Sequence, residues 1–193
     1  MSASTISCSG NGALLLDGAR YESATAWLYQ SFPSHQPLPL LVGTAYEPIA
    51  DAGPILLNAP VGSPAYEAWK HGDSIEDGVW LESDAPIDAL QRILQNRLRI
   101  FTPEHREFWL RLGDARPLYS AWQSGAKWPD GFWHRIQRIW LRHEHSTFCA
   151  WHNEHPEKNN VQADLGVAAQ LTLDWPLLKA LASQDDTAQE AAT

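Results

Sequence analysis

The sequence predicts an α+β fold (mixed α/β): a mixed sheet of about five to six strands with packed helices, and then a less regular, mainly helical C-terminal part. Three observations carry this reading. Short apolar runs of strand length at 13–17 (ALLLD), 54–58 (PILLN) and 78–82 (GVWLE) are separated by segments that carry helix-start signals. Ile87, Leu90, Ile93, Leu94 and Leu98 fall on one helical stripe, opened by Ser83-Asp84-Ala85-Pro86. Residues 99–102 and 107–112, parted by Pro103-Glu104-His105, read as an antiparallel hairpin.

In chain order, residues 1–12 are small and polar, and fraying is expected there. The run at 13–17 has no polar alternation, which suits a strand buried on both faces. Residues 21–32 carry apolar side chains near helical spacing and are ended by Pro33, Pro37 and Pro39. A second strand follows at 38–42, one helical turn at 47–52, and the third strand at 54–58, entered by Gly53-Pro54. Ser63-Pro64 opens a helix through Trp69, with serine as cap and proline at the first helical position. The strand at 78–82, the striped helix and the hairpin come next.

The segment 107–118 (EFWLRLGDARPL) is the most informative one. As a strand it puts Phe108, Leu110 and Leu112 on one face, predicted to be core, and Trp109 and Arg111 on the other. It breaks at Gly113, and Asp114 is placed to cap a helix beginning at Ala115. Arg111 lies three residues from Asp114, within reach of a bidentate pair that would close this corner as a scaffold feature. Beyond Trp122 the pattern weakens: 132–141 and 147–151 suit strands or a helix, 156–160 a loop, and Asp174-Trp175-Pro176 caps a last helix through Ala182. The expected organisation is a frayed segment at 1–12, a main domain at 13–142, a stretch at 143–183 that is either a separate lobe or the completion of the main core, and a disordered tail at 184–193.

The net charge of −9 is unevenly placed. Residues 92–142 hold ten basic residues against four acidic ones, a net +6, while 1–91 carry −9 and 143–193 carry −6. The arginines are spread over helix, strand and loop with no phosphate-cradling glycine loop, so pairing with the acidic flanks or with a protein of opposite charge is favoured over nucleic acid. Cys8 and Cys149 make no disulfide framework, and no segment has signal-peptide or membrane-span character, so a cytoplasmic location is expected. Ten tryptophans invite an interface role, and Trp122, Trp128 and Trp133, in a short glycine- and proline-broken region, are the candidates for an exposed groove. Asp17, near Arg20, is a strand-end acid that would cap the following turn and could mark a partner-facing edge.

The collinear set GALLLDGAR (12–20), GPILLNAPVGSPAYEAW (53–69), GVWLESDAPIDALQRIL (78–94) and FWLRLGDARPL (108–118) resembles the bacterial family called domain of unknown function 4123 over residues 13 to about 142. The family's central motif runs Arg, aromatic, aromatic, Asp, Pro, Arg. Here Arg111, Asp114 and Arg116 match it, while Leu112, Gly113 and Ala115 replace the aromatics and the proline. The resemblance implies a non-enzymatic adaptor of type VI secretion: a chaperone that holds a toxic effector and helps load it onto the VgrG-type spike. On that implication the partners are the effector and the spike protein, with no cofactor, nucleic acid or membrane. Arg111, Asp114, Arg116, Asp17, Arg20 and the three tryptophans become the candidate partner-binding residues.

Two other classes stay open from the sequence. Residues 143–155 (HEHSTFCAWHNEH) place Cys149, His152 and His155 three apart, so on a helix they would share a side and hold a metal for hydrolysis. On a strand the same spacing sends them to opposite faces. An immunity protein that covers a toxin's active site would have the same acidic look.

Overall fold

The computed structural model describes residues 10–183; Cys8, nearly all of the segment expected to fray and the expected disordered tail at 184–193 fall outside them. Strand β1 (Gly12–Asp17) is buried at all six positions. Its alternation sends Leu14 and Leu16 into one core and Ala13 and Leu15 into another. That is why the run reads as continuously apolar: the strand has helices on both faces.

A 3-10 turn (Gly18–Arg20) leads into α1 (Ala24–Ser31), followed by β2 (Leu38–Pro39), a 3-10 segment (Glu47–Ala52) and β3 (Pro54–Asn58). Helix α2 (Pro64–His71) starts where expected, with the Ser63 hydroxyl accepting from the Tyr66 amide at 3.4 Å, and ends on Gly72 at φ +71°. Then come β4 (Val79–Glu82), α3 (Ile87–Gln95), β5 (Arg99–Phe101), β6 (Glu107–Trp109), α4 (Ala115–Gln123), β7 (Arg138–His143), β8 (Ser146–His152) and α5 (Trp175–Ala182). Helices α1 and α2 lie with Leu14, Leu16, Ile55, Leu57 and Trp80, and helices α3, α4 and α5 lie with Ala13, Leu15, Leu81 and Ile139 on the opposite face.

The α+β class holds, with one correction to the sheet. Its six strands run in the order β2-β3-β1-β4-β7-β8 and every neighbouring pair is antiparallel, so it is not mixed. The helix-linked pairs β1/β2 and β3/β4 do run parallel to each other, as the alternating pattern implies. Each such pair is separated by one intervening antiparallel strand, β3 in the first case and β1 in the second. Strands β5 and β6 form a separate two-stranded sheet, whose Phe101 is flanked on its outer edge by residues 171–173: its amide donates to the Leu171 carbonyl at 2.8 Å and its carbonyl accepts from Leu173 at 3.0 Å.

Two expected strands are shorter. The strand at 38–42 stops at Pro39, where Thr44 folds back to donate to the Leu41 carbonyl at 2.7 Å. The strand at 107–112 stops at Trp109, so Leu110 and Leu112 turn into the core while Phe108 stays exposed. The segment 143–183 is also not mainly helical, since β8 continues the main sheet as an edge strand. Leu171, Leu173, Leu177 and Ala180 join the core shared with Leu90, Leu94 and Leu118. Among the described residues no helix is long and apolar enough to cross a membrane.

Deleting residues 143–193 should therefore remove an edge strand and one wall of the larger core and abolish cooperative thermal unfolding; a truncated protein that melts in a single sharp transition would contradict this packing.

Candidate functional site

The charged corner is built by three chain segments that meet at the end of β1. Gly113 approaches so closely that a Cβ there would lie 2.4 Å from the carbonyl carbon and oxygen of Leu16 and 2.7 Å from the Asp17 amide, which only glycine tolerates. The Asp17 carboxylate caps the 3-10 turn, accepting from the Ala19 amide at 3.2 Å. Its other oxygen accepts from two nitrogens of Arg111, at 3.0 and 2.5 Å. Asp114 caps α4 as expected, taking the Arg116 amide at 3.1 Å. The Ala115 amide at the start of α4 donates to the Asp77 carbonyl at 2.8 Å, and Arg20 forms an ion pair with the Asp77 side chain.

This corrects the pairing expected from sequence. The bidentate partner of Asp114 is Arg116, at 2.9 and 2.6 Å, and Arg111 reaches Asp114 only at 3.2 Å on its way to Asp17. The physical reason is the cap. An extended residue at the helix N-terminus points its side chain over the first turn, where Arg116 stands, while Arg111, two residues past the end of β6, points back across the Gly113 contact onto β1. Asp17, Arg20, Arg111, Asp114 and Arg116 are thus brought together, with Asp77 as a sixth member that sequence reading missed.

Asp114 is fully buried, and burial alone would push its carboxyl up. The hydrogen bonds from Arg116 and the charges of Arg116 and Arg111 outweigh that and hold it below the usual carboxylate range. The same pair raises the Arg116 guanidinium. Tyr21, beside the corner, is pushed up to about 12 by burial and by the nearby carboxylates, Asp77 foremost.

The three candidate tryptophans are not one groove. Trp122 is exposed and packs on Phe148 at 4.6 Å, Trp128 is half-buried, and Trp133 is only 5% exposed. Trp133 turns inward because Arg97 pins the chain before it. Its guanidinium is buried with no carboxylate partner among the described residues and donates to the carbonyls of Ile93 (2.7 Å), Gly131 (2.9 Å) and Phe132, and to the Asn159 amide oxygen (3.0 Å). Burial pulls Arg97 down to about 10. Phe132 and Trp133 then join Trp128 in one aromatic cluster, with ring centroids 4.4 to 5.0 Å apart. Trp128, Trp133 and Trp151 line a cavity of about 400 Å³ that His152 and His155 also border. The exposed tryptophans of the molecule are Trp109, Trp122 and Trp175. For Trp109 the signal was present in the sequence, since it stood opposite the apolar face of its strand.

Cys149 and His152 lie on β8, three residues apart, so the helical arrangement of Cys149, His152 and His155 does not form. The Cys149 thiol donates to the Trp151 carbonyl at 3.4 Å and is pushed up by burial, and His155 pairs with Glu157 at 3.3 Å. Among the described residues no three histidine, cysteine or acidic side chains are grouped to hold a metal ion.

Comparison with known families matches residues 14–128, which include every member of the charged corner, to a family model described as Domain of unknown function (DUF4123). No curated protein and no solved structure matches.

Substitutions test the corner and the Arg97 clamp. Asp114→Ala should cost about 1–2 kcal/mol, because it removes the cap of α4 and the bidentate partner of Arg116 while Arg111 keeps Asp17, and Arg111→Ala about 1 kcal/mol, because its side chain is 54% exposed. Asp114 has a lowered folded-state pKa, so its contribution is complete above the unfolded value of about 4 and is lost as pH falls through the lower folded value. The melting-temperature gap between wild type and Asp114→Asn should close on acidification below about pH 4; a gap independent of pH would contradict the assignment. Arg97→Met should cost about 3 kcal/mol or more through the carbonyls it leaves unpaired, and should enhance solvent quenching of tryptophan fluorescence.

Proposed function

We propose that this chain, which belongs to the family described as Domain of unknown function (DUF4123), is a non-enzymatic adaptor of type VI secretion that binds a toxic effector and helps load it onto the VgrG-type spike. The observation that carries this reading is the family match across residues 14–128, together with the resemblance of the Arg111, Asp114, Arg116 trio to the family's central motif. The architecture supports it in one respect. An adaptor needs a stiff body that presents large apolar anchors to another protein, and here Trp109 on β6, Trp122 on α4 and Trp175 on α5 are exposed around a main sheet covered on both faces. On this reading the charged corner has a scaffolding role. It holds α4 and the strand before it at fixed positions, so that the anchors meet the effector with little loss of freedom. A cytoplasmic location follows, since the effector must be met before it is exported.

The test is affinity purification of the tagged protein from the cell that natively makes it, with mass spectrometry of what is retained. Recovery of a large toxin-like protein together with a VgrG-type spike component is expected. Recovery of neither, or of a toxin held only through its catalytic domain with no spike component, would contradict the adaptor role.

A further inference from the structure

The main sheet has its edges at β2 and β8, and the small sheet has one at β6. Strand β2 is two residues long and ends on Pro39, and the β7–β8 ladder is interrupted by a register shift at Ile139/Trp140. Both are ways of blunting an edge. In the small sheet, β5 is flanked by residues 171–173 through Phe101, whereas β6 has no strand on its outer side among the described residues. The ladder fixes which groups face outward. The Leu110 amide donates to Leu98 and the Thr102 amide to Arg106, so the even-numbered residues of β6 carry the inward hydrogen bonds. The amides and carbonyls of Glu107 and Trp109 therefore point away from β5.

On either side of this edge lies an apolar depression. One, of about 180 Å³, is lined by Phe108, Trp109, Leu110, Leu178 and Leu181 among others. The other, of about 260 Å³, is lined by Leu41, Ile49, Trp109 and Arg111. Phe108 and Trp109 are 44% and 45% exposed and project to opposite faces of the strand; Phe108 borders the first depression and Trp109 borders both. A strand laid along β6 would turn every second side chain toward the face of Phe108 and the side chains between them toward the face that carries Trp109, Arg99 and Arg111.

The surrounding charge selects the occupant. In a chain of net charge −9, this edge carries Arg99, whose guanidinium lies 5.4 Å from the Trp109 ring centre, Arg106, 5.6 Å from that of Phe108, and Arg111, which lines both depressions. Glu107 is held by Arg99 and Asp17 by Arg111, while Arg106 has no ion pair among the described residues. We propose that the free edge of β6 accepts an extended segment of a partner protein by strand addition, the segment being apolar at alternate positions with carboxylates between them. That the partner is the effector rests on the adaptor reading; the docking chemistry does not.

The probe is a synthetic eight-residue peptide alternating aspartate or glutamate with leucine or valine, compared with the same peptide N-methylated at every amide, on the full-length protein. Amide hydrogen exchange at Glu107 and Trp109 should slow at least ten-fold with the unmodified peptide, and N-methylation should weaken binding at least ten-fold. Trp109→Glu, a change at an exposed position that leaves the fold intact, should weaken binding to the same degree. Equal binding of the N-methylated peptide, protection on β8 in place of β6, or no binding at millimolar peptide would each overturn the proposal. The two readings separate cleanly. If native purification recovers effector and spike equally with wild type and Trp109→Glu, the adaptor role stands and the edge site falls. If the peptide docks on β6 while purification recovers neither protein, the edge site stands and the adaptor role falls.

Discussion

Gly113 lies so near the end of β1 that any side chain would collide with the Leu16 carbonyl, and this contact sets where the second half of the chain can go. It brings Arg111 onto Asp17 and starts α4 beside Asp77. The three acids and three arginines gathered there neutralise one another, which lets the buried Asp114 stay ionised out of water. With α4 fixed, its buried face of Ala115, Leu118 and Ala121 completes the core against α5 and the sheet. Strand β6 is left outside that core with its edge open.

Arg97 plays a comparable part at the opposite end of the same core. A guanidinium held by backbone carbonyls and an asparagine ties the C-terminal end of α3 to the loops at 131–132 and 159, and these loops carry the aromatic cluster. The two arginine-centred clamps differ in kind. The first is a balanced ionic lattice at the surface; the second is a cation satisfied wholly by neutral acceptors, which depends on the geometry of the loops and fails if they move.

What could be read from sequence was what is local. The strand at 54–58, the serine and aspartate caps of α2, α4 and α5, and the stripe of α3 are each specified by neighbouring residues, and the structure has them in place. The pairing of Arg111 with Asp17 spans 94 residues, and nothing in the sequence near Arg111 distinguishes Asp17 from the closer Asp114. The burial of Trp133 depends on Arg97, which sits on another element. The antiparallel sheet was hidden because strands linked by helices are parallel without being neighbours. At residues 149–155, the strand reading that competed with the helical one prevails, and the possible metal set disperses with it. The candidate corner was thus legible in its members and not in its partners.

The most direct test of this account is a double-mutant cycle between Asp17→Asn and Arg111→Gln, followed by chemical unfolding. If the corner couples β1 to the segment before α4, the cycle should show an interaction of about 1 kcal/mol. Additivity within about 0.5 kcal/mol would mean that the two residues act independently and that the Gly113 contact stands without them.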